Sequence, residues 1–129
     1  MIYIAINGLP IALATIAGLV IGLVWLRASK ILLPDWRLLA LAGVAEFWIA
    51  AILAGALILA PPQAGEWTMA LGSAFVIWIG FVMPSIVVTL LVHRFEKGAV
   101  VSAALHWLIV MLVQSTILKA WGLTPPPGA

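Results

Sequence analysis

Residues 38–60 read LLALAGVAEFWIAAILAGALILA, a continuous apolar run that carries a single charge, Glu46, near its middle. A helix that crosses a hydrocarbon core of ~30 Å needs about 20 predominantly apolar residues, and this run supplies them. Three further runs do the same: 2–26, which has no charge at all, 67–92 and 99–118. Runs of this kind do not fit the apolar–polar alternation of a membrane barrel strand, whereas a helix satisfies its own backbone groups in lipid. The expected fold is therefore an all-α membrane protein, a single transmembrane domain over residues 1–129 with four spans.

Composition agrees. The chain is 66% hydrophobic and 8% charged, against roughly half and a quarter in soluble domains. A chain this short has too little interior to hide the excess from water. The net charge of +2 comes from few groups. Without a basic stripe, nucleic acid is excluded as a partner. The absence of cysteine removes disulfides, thiolate ligands and cysteine nucleophiles. No Lys or Arg precedes Arg27, so the first run reads as a retained helix rather than a signal peptide. There is no HExxH, no GxSxG, no Walker loop and no pair of intramembrane Asp residues. No catalytic residue and no metal set is assigned, and the chain reads as a non-enzyme.

The connections are short. The segment 27–37 holds Pro34-Asp35, with Asp35 placed to cap the second span. Pro61-Pro62-Gln63-Ala64-Gly65-Glu66 stops that span in a tight loop, and 93–98 joins the last two. Short loops between consecutive helices predict an antiparallel up-down bundle. The tail Pro125-Pro126-Pro127 is expected to be extended. Arg27, Lys30 and Arg37 lie in the first connection, Arg94 and Lys97 in the third; the other side carries only Lys119, with Glu66 in its loop. Basic loops stay in the cytoplasm. Loops 27–37 and 93–98 are therefore expected there, with both termini on the non-cytoplasmic side. Trp25, Trp36, Trp67 and Trp121, with Tyr3, fall where interfacial anchors sit. Trp48, Trp78 and Trp107 lie deeper, facing lipid or packed in the core.

Helices associate in lipid through small residues. Ala14, Gly18 and Gly22 share a face of span one. Ala42, Glu46, Ala50 and Ala54 share a face of span two. Ser73, Gly80 and Pro84 serve span three, with Pro84 expected to kink it. A carboxylate at mid-membrane costs several kcal/mol and usually faces protein. From Arg37 to Glu46 is nine residues, or ~13–14 Å of helix. The same count from Lys97 reaches His106; counting back from Arg94 reaches Ser85, and from Arg27 reaches Gly18. Glu46, His106 and Ser85 are thus expected to form one polar layer, with Gly18 leaving room and Glu46 meeting His106. Such a pair could fix helix register, carry a proton or substrate, or give way to His106 as a cofactor ligand. Gln114, Ser115 and Thr116 are expected to bond across helices or back to their own backbone. Asn7 is expected at the interface and His93 in solvent.

Two stretches carry a resemblance: Gly18-Leu-Val-Ile-Gly22-Leu-Val-Trp25, followed by Trp36, and Trp78-Ile-Gly80-Phe81-Val-Met-Pro84, followed by His106. Together they resemble a family of small bacterial four-helix membrane proteins catalogued only as a domain of unknown function. That family has a glycine-rich first span ending in Trp-Tyr-Ser, a Gly-Phe-x-x-Pro segment and a histidine early in its fourth helix. The chain departs from it at Leu26-Arg27, where Tyr-Ser would stand. The resemblance implies a four-helix fold in a bacterial inner membrane and no established activity.

Three functions compete on these residues. The first is a non-catalytic accessory or assembly subunit that packs against a larger membrane complex, favoured by minimal loops and small-residue faces. The second is a small homo-oligomeric, proton-coupled transporter using Glu46. The third is a haem- or pigment-binding protein that uses His106. The expected partners are the lipid bilayer and other membrane subunits or further copies of the chain. The sequence assigns no cofactor.

Overall fold

The structure, a computed structural model, describes residues 1–128, and every regular element among them is helical. In chain order these are α1 (Ile2–Ile6), α2 (Gly8–Ala28), α3 (Trp36–Leu59), α4 (Glu66–Ile77), a π-helical turn (Trp78–Val82), α5 (Met83–Val92) and α6 (Lys97–Trp121). Four helical segments, Gly8–Ala28, Trp36–Leu59, Glu66–Val92 and Lys97–Trp121, are long and apolar enough to cross a membrane.

Local chemistry explains the breaks. Pro10 offers no N–H to the carbonyl of Ile6, and the helix is interrupted at Asn7 (φ −104°, ψ 24°). The Asn7 amide is buried. It donates to Tyr3 O (2.9 Å) and Thr124 O (2.8 Å) and accepts from Thr124 N (2.8 Å). This reciprocal pair holds the segment after α6 against the start of the chain. Tyr3 Oη donates to Ala51 O at 3.0 Å beside Gly55, where a Cβ would approach the phenol to 3.0 Å. At the other end of the bundle, Asp35 caps α3 by accepting from Leu38 N at 2.9 Å. The α2 and α5 helices both finish with a left-handed basic residue, Lys30 (φ 57°) and Arg94 (φ 65°). Each finish is locked by a six-to-one bond, Ile31 N to Leu26 O (2.9 Å) and Phe95 N to Leu90 O (3.0 Å). A positive φ costs a non-glycine residue roughly 1–2 kcal/mol, which the cation partly offsets at the negative end of the helix dipole.

In the third span, Pro84 cannot donate to the carbonyl four residues back. The chain inserts a π turn just ahead of it, with Met83 N bonded to Trp78 O. The distortion expected at Pro84 is this turn.

Helix α6 is the hub: it packs on α2, α3, α4, the π turn and α5. Helix α3 touches α2, α6 and α4, whereas α2 and the third span do not meet. Contacts along α6 fix its sense. Asn7 meets Thr124 and Trp25 meets Ser102, so α2 runs antiparallel to it. Glu66 meets Lys119, Ala70 meets Ser115 and Trp78 meets Ala104, so the third span does too. Ile11, Ala14, Ala50, Leu53, Ala54, Ala74, Met111 and Leu118 form the fully buried centre. The small residues Ala14, Ala50 and Ala54 are thus spent inside the bundle. Gly80, expected at a packing face, instead lies exposed with nothing within 4 Å of where its Cβ would be. Helix α5 buries no residue at all. The third span is held chiefly through α4 and through the Trp78 indole, which donates to Ala104 O at 2.9 Å.

Candidate functional site

Glu46 sits near the middle of α3 and is 3% exposed. Its position depends on Gly18 of α2. A Cβ there would lie 2.8 Å from Glu46 Cδ and 2.9 Å from Gln114 Nε2, so the absent methyl group makes the space that the carboxylate fills. Gln114 of α6, fully buried, donates from Nε2 to Glu46 Oε2 at 2.8 Å and makes a longer contact of 3.4 Å to the Glu46 carbonyl. The amide's own oxygen, Gln114 Oε1, is buried without a partner. Glu46 Oε1 receives no hydrogen bond among the described residues.

Glu46 also lines a cavity of about 330 Å³ between α2, α3 and α6. The cavity extends to Ile31 and Pro34 in the loop before α3. From that loop to Glu46 the helix climbs about 15 Å, half of a typical hydrocarbon core. The remaining wall is apolar apart from Ser102 and His106, and no Lys or Arg contributes to it. The His106 ring stands edge-on to Trp25 (centroids 5.7 Å apart) and to Trp107 (5.2 Å). Trp25 is fixed by donating from Nε1 to Ser102 Oγ at 3.0 Å.

The expected polar layer is therefore rebuilt. Glu46 and Gly18 do meet, but the hydrogen-bond partner is Gln114 and not His106. Counting from Lys97 fails because α6 begins level with the loop after α2, beyond Arg27. His106 consequently lies beside Gly22, one turn from Gly18, and Gln114 reaches the carboxylate. Ser85 leaves the layer altogether: it faces outward and donates to Phe81 O within its own helix. Trp36, Trp67 and Trp121 are exposed at helix ends, but Trp25 turns inward to the cavity. Trp48 is exposed, Trp78 is buried and Trp107 lines the cavity. Gln114, expected to bond across helices or back to its own backbone, bonds across to Glu46, a partner the sequence did not assign to it. Its signal was the eight-residue spacing from His106, which puts both side chains on one face of α6.

His106 Nε2 is buried without a partner. A Cβ on Gly22 would lie only 3.4 Å from it, so α2 covers the nitrogen that an axial ligand would use. Haem does not fit on Nε2 in this arrangement, and no group of three metal-ligating side chains occurs among the described residues. One oxygen of the Glu46 carboxylate is tied to a neutral amide. The other faces an apolar, aromatic-walled space. The chain matches no protein-family model, and comparison with curated proteins and with solved structures returns no match.

Proposed function

We propose that the chain is a small membrane carrier in which Glu46 exchanges a proton for a bound solute. One observation carries the reading: a buried carboxylate opens onto a cavity that contains no cationic side chain. An uncompensated charge in a low-dielectric interior costs several kcal/mol. A proton on the carboxylate removes that cost, and so does a cation beside it. The two occupants exclude each other at Glu46, and mutual exclusion at one site is what couples two fluxes.

The cavity ends at Glu46 rather than crossing the bundle, so the carrier is proposed to act as a homo-oligomer. The basic loops 27–37 and 93–98 are proposed to face the cytoplasm of a bacterial inner membrane. The small residues Ala14, Ala50 and Ala54, on which an accessory-subunit role drew, are buried within the chain.

N,N′-dicyclohexylcarbodiimide tests the reading, because it partitions into lipid and modifies protonated carboxyl groups. One adduct is expected, at Glu46, lost in Glu46→Gln and formed more slowly as the pH rises. An unreactive Glu46 overturns the proposal. Stoichiometric foreign subunits co-purifying from native membranes, with no effect of Glu46→Gln beyond assembly, restore the accessory role.

A further inference from the structure

We infer that the cavity takes an organic monocation with an apolar or aromatic body, its ammonium group against Glu46 and its body against Trp25, His106 and Trp107. The inference rests on the exchange reading of Glu46 and names the solute class.

Charge selects first. Around Glu46, α2 presents Gly18, Leu19 and Gly22, and α6 presents His106 and Gln114; the loop before α3 contributes Ile31 and Pro34. His106 is the single other titratable group, and no Lys or Arg lines the space. An anion would meet a carboxylate with nothing to offset it. The shortage of oxygen ligands selects next. Hard inorganic cations such as Ca²⁺ take six to eight oxygens and Mg²⁺ is octahedral, whereas this cavity offers one carboxylate and a Ser102 hydroxyl already accepting from Trp25. An alkylammonium group needs no such shell. It gains from a single carboxylate and from indole rings, whose faces attract cations by about 0.5–2 kcal/mol.

Size and access complete the case. A volume of about 330 Å³ lies at the small end of ligand sites, which run from about 300 to 1,000 Å³, and suits an amine that carries one ring. At the outer end, Ile31, Leu32 and Leu33 are exposed between Lys30 and Arg37, and Ile31 lines the cavity itself. An apolar threshold among basic residues disfavours a hydrated cation arriving from water and favours one dissolved in the headgroup layer. Binding is balanced by release: the protonated Glu46 carboxyl gives up its proton to solvent as the ammonium takes its place, one proton for one cation.

The test uses the full chain in nanodiscs and three probes: benzyltrimethylammonium, its uncharged carbon isostere 2,2-dimethylpropylbenzene, and the aromatic anion benzenesulfonate. The readouts are tryptophan emission, protection of Glu46 from carbodiimide, and proton release into weak buffer. The cation is expected to protect Glu46, to release one proton per site and to bind about tenfold or more tighter than the isostere, with benzenesulfonate inert. Glu46→Gln is expected to abolish the preference for charge. Should that variant misfold, proton release by the wild-type protein decides the same point. Equal binding of cation and isostere, or protection without proton release, overturns the inference. Carbodiimide labelling that no probe blocks overturns the inference and leaves the exchange reading standing. Absence of labelling overturns the exchange reading, and with it this one.

Discussion

Gly18→Ala puts the geometry of the site at risk with one methyl group. The new Cβ would lie 2.8 Å from Glu46 Cδ and 2.9 Å from Gln114 Nε2, where ordinary contact begins at 3.4 Å. The deficit is about half an ångström against both partners of one hydrogen bond, and relieving it means swinging the Glu46 carboxylate toward the cavity and away from Gln114. Overpacking costs about 1–3 kcal/mol, and the low end of about 1 applies where a flexible side chain can give. A buried polar group stripped of its partner costs a further 1–3 kcal/mol. Together these give a loss of about 2–4 kcal/mol. Equilibrium unfolding in mixed detergent micelles, followed by far-UV circular dichroism, would resolve it. Gly72→Ala is the control. Nothing lies within 4 Å of its Cβ position, and alanine there is expected to be neutral or stabilising by up to about 1 kcal/mol from helix propensity. If Gly18→Ala unfolds at the wild-type midpoint while Glu46 still reacts with carbodiimide as before, the tight contact among α2, α3 and α6 is wrong, and so is the argument that Gly18 makes the site.

Two further outcomes are expected. Asn7→Ala removes both bonds to Thr124; the tail should become susceptible to limited proteolysis with a stability loss of about 1–3 kcal/mol, and an unchanged cleavage pattern would mean that the clasp does not hold it. Because the chain has no cysteine, single substitutions report sidedness directly. A membrane-impermeant maleimide added to intact spheroplasts should label Gln63→Cys but reach Ser29→Cys and Glu96→Cys only after lysis, and the opposite pattern would invert the proposed orientation.

The spans were legible because lipid imposes one simple rule, length times apolarity, and the sequence obeys it in four places. The Asp35 cap was legible for a similar reason: it depends on residues three apart in the chain. Depth across helices was harder. Counting inward from charges treats each basic residue as lying at the same height, yet Lys97 begins α6 level with a loop while Arg27 is still within α2. That offset exchanged His106 for Gln114. Ser85 was misplaced for a different reason. Counting back from Arg94 set its depth and not its direction, and the side chain faces outward and bonds to Phe81 O. Gly80 lies within the π turn at Trp78–Val82. Trp25 was read by its position near a helix end, which sets depth and not direction.

A polar bond between helices is often no more than a staple, so Glu46–Gln114 has to be weighed against the staples this bundle already has. Ser115 Oγ donates to Ala70 O at 2.7 Å and the Trp78 indole to Ala104 O at 2.9 Å, both buried. Each joins α6 to the third span with no titratable group and leaves no side-chain polar atom unpaired. The Glu46 site fixes register no better and does so at a larger cost. It strands Gln114 Oε1 and leaves His106 Nε2 unpaired one turn away, each a penalty of about 1–3 kcal/mol, and adds a carboxylate in an apolar setting. A stapling role alone gives no return for these terms, since leucine at all three positions would remove them. They have a use if the carboxylate must exchange what it binds, because a fully satisfied Glu46 would have no oxygen left for a proton or a cation. The double variant Glu46→Leu/Gln114→Leu separates the two accounts. A staple predicts a less stable protein with its activity intact wherever it folds. Exchange predicts a protein at least as stable as wild type that binds no cation and releases no proton.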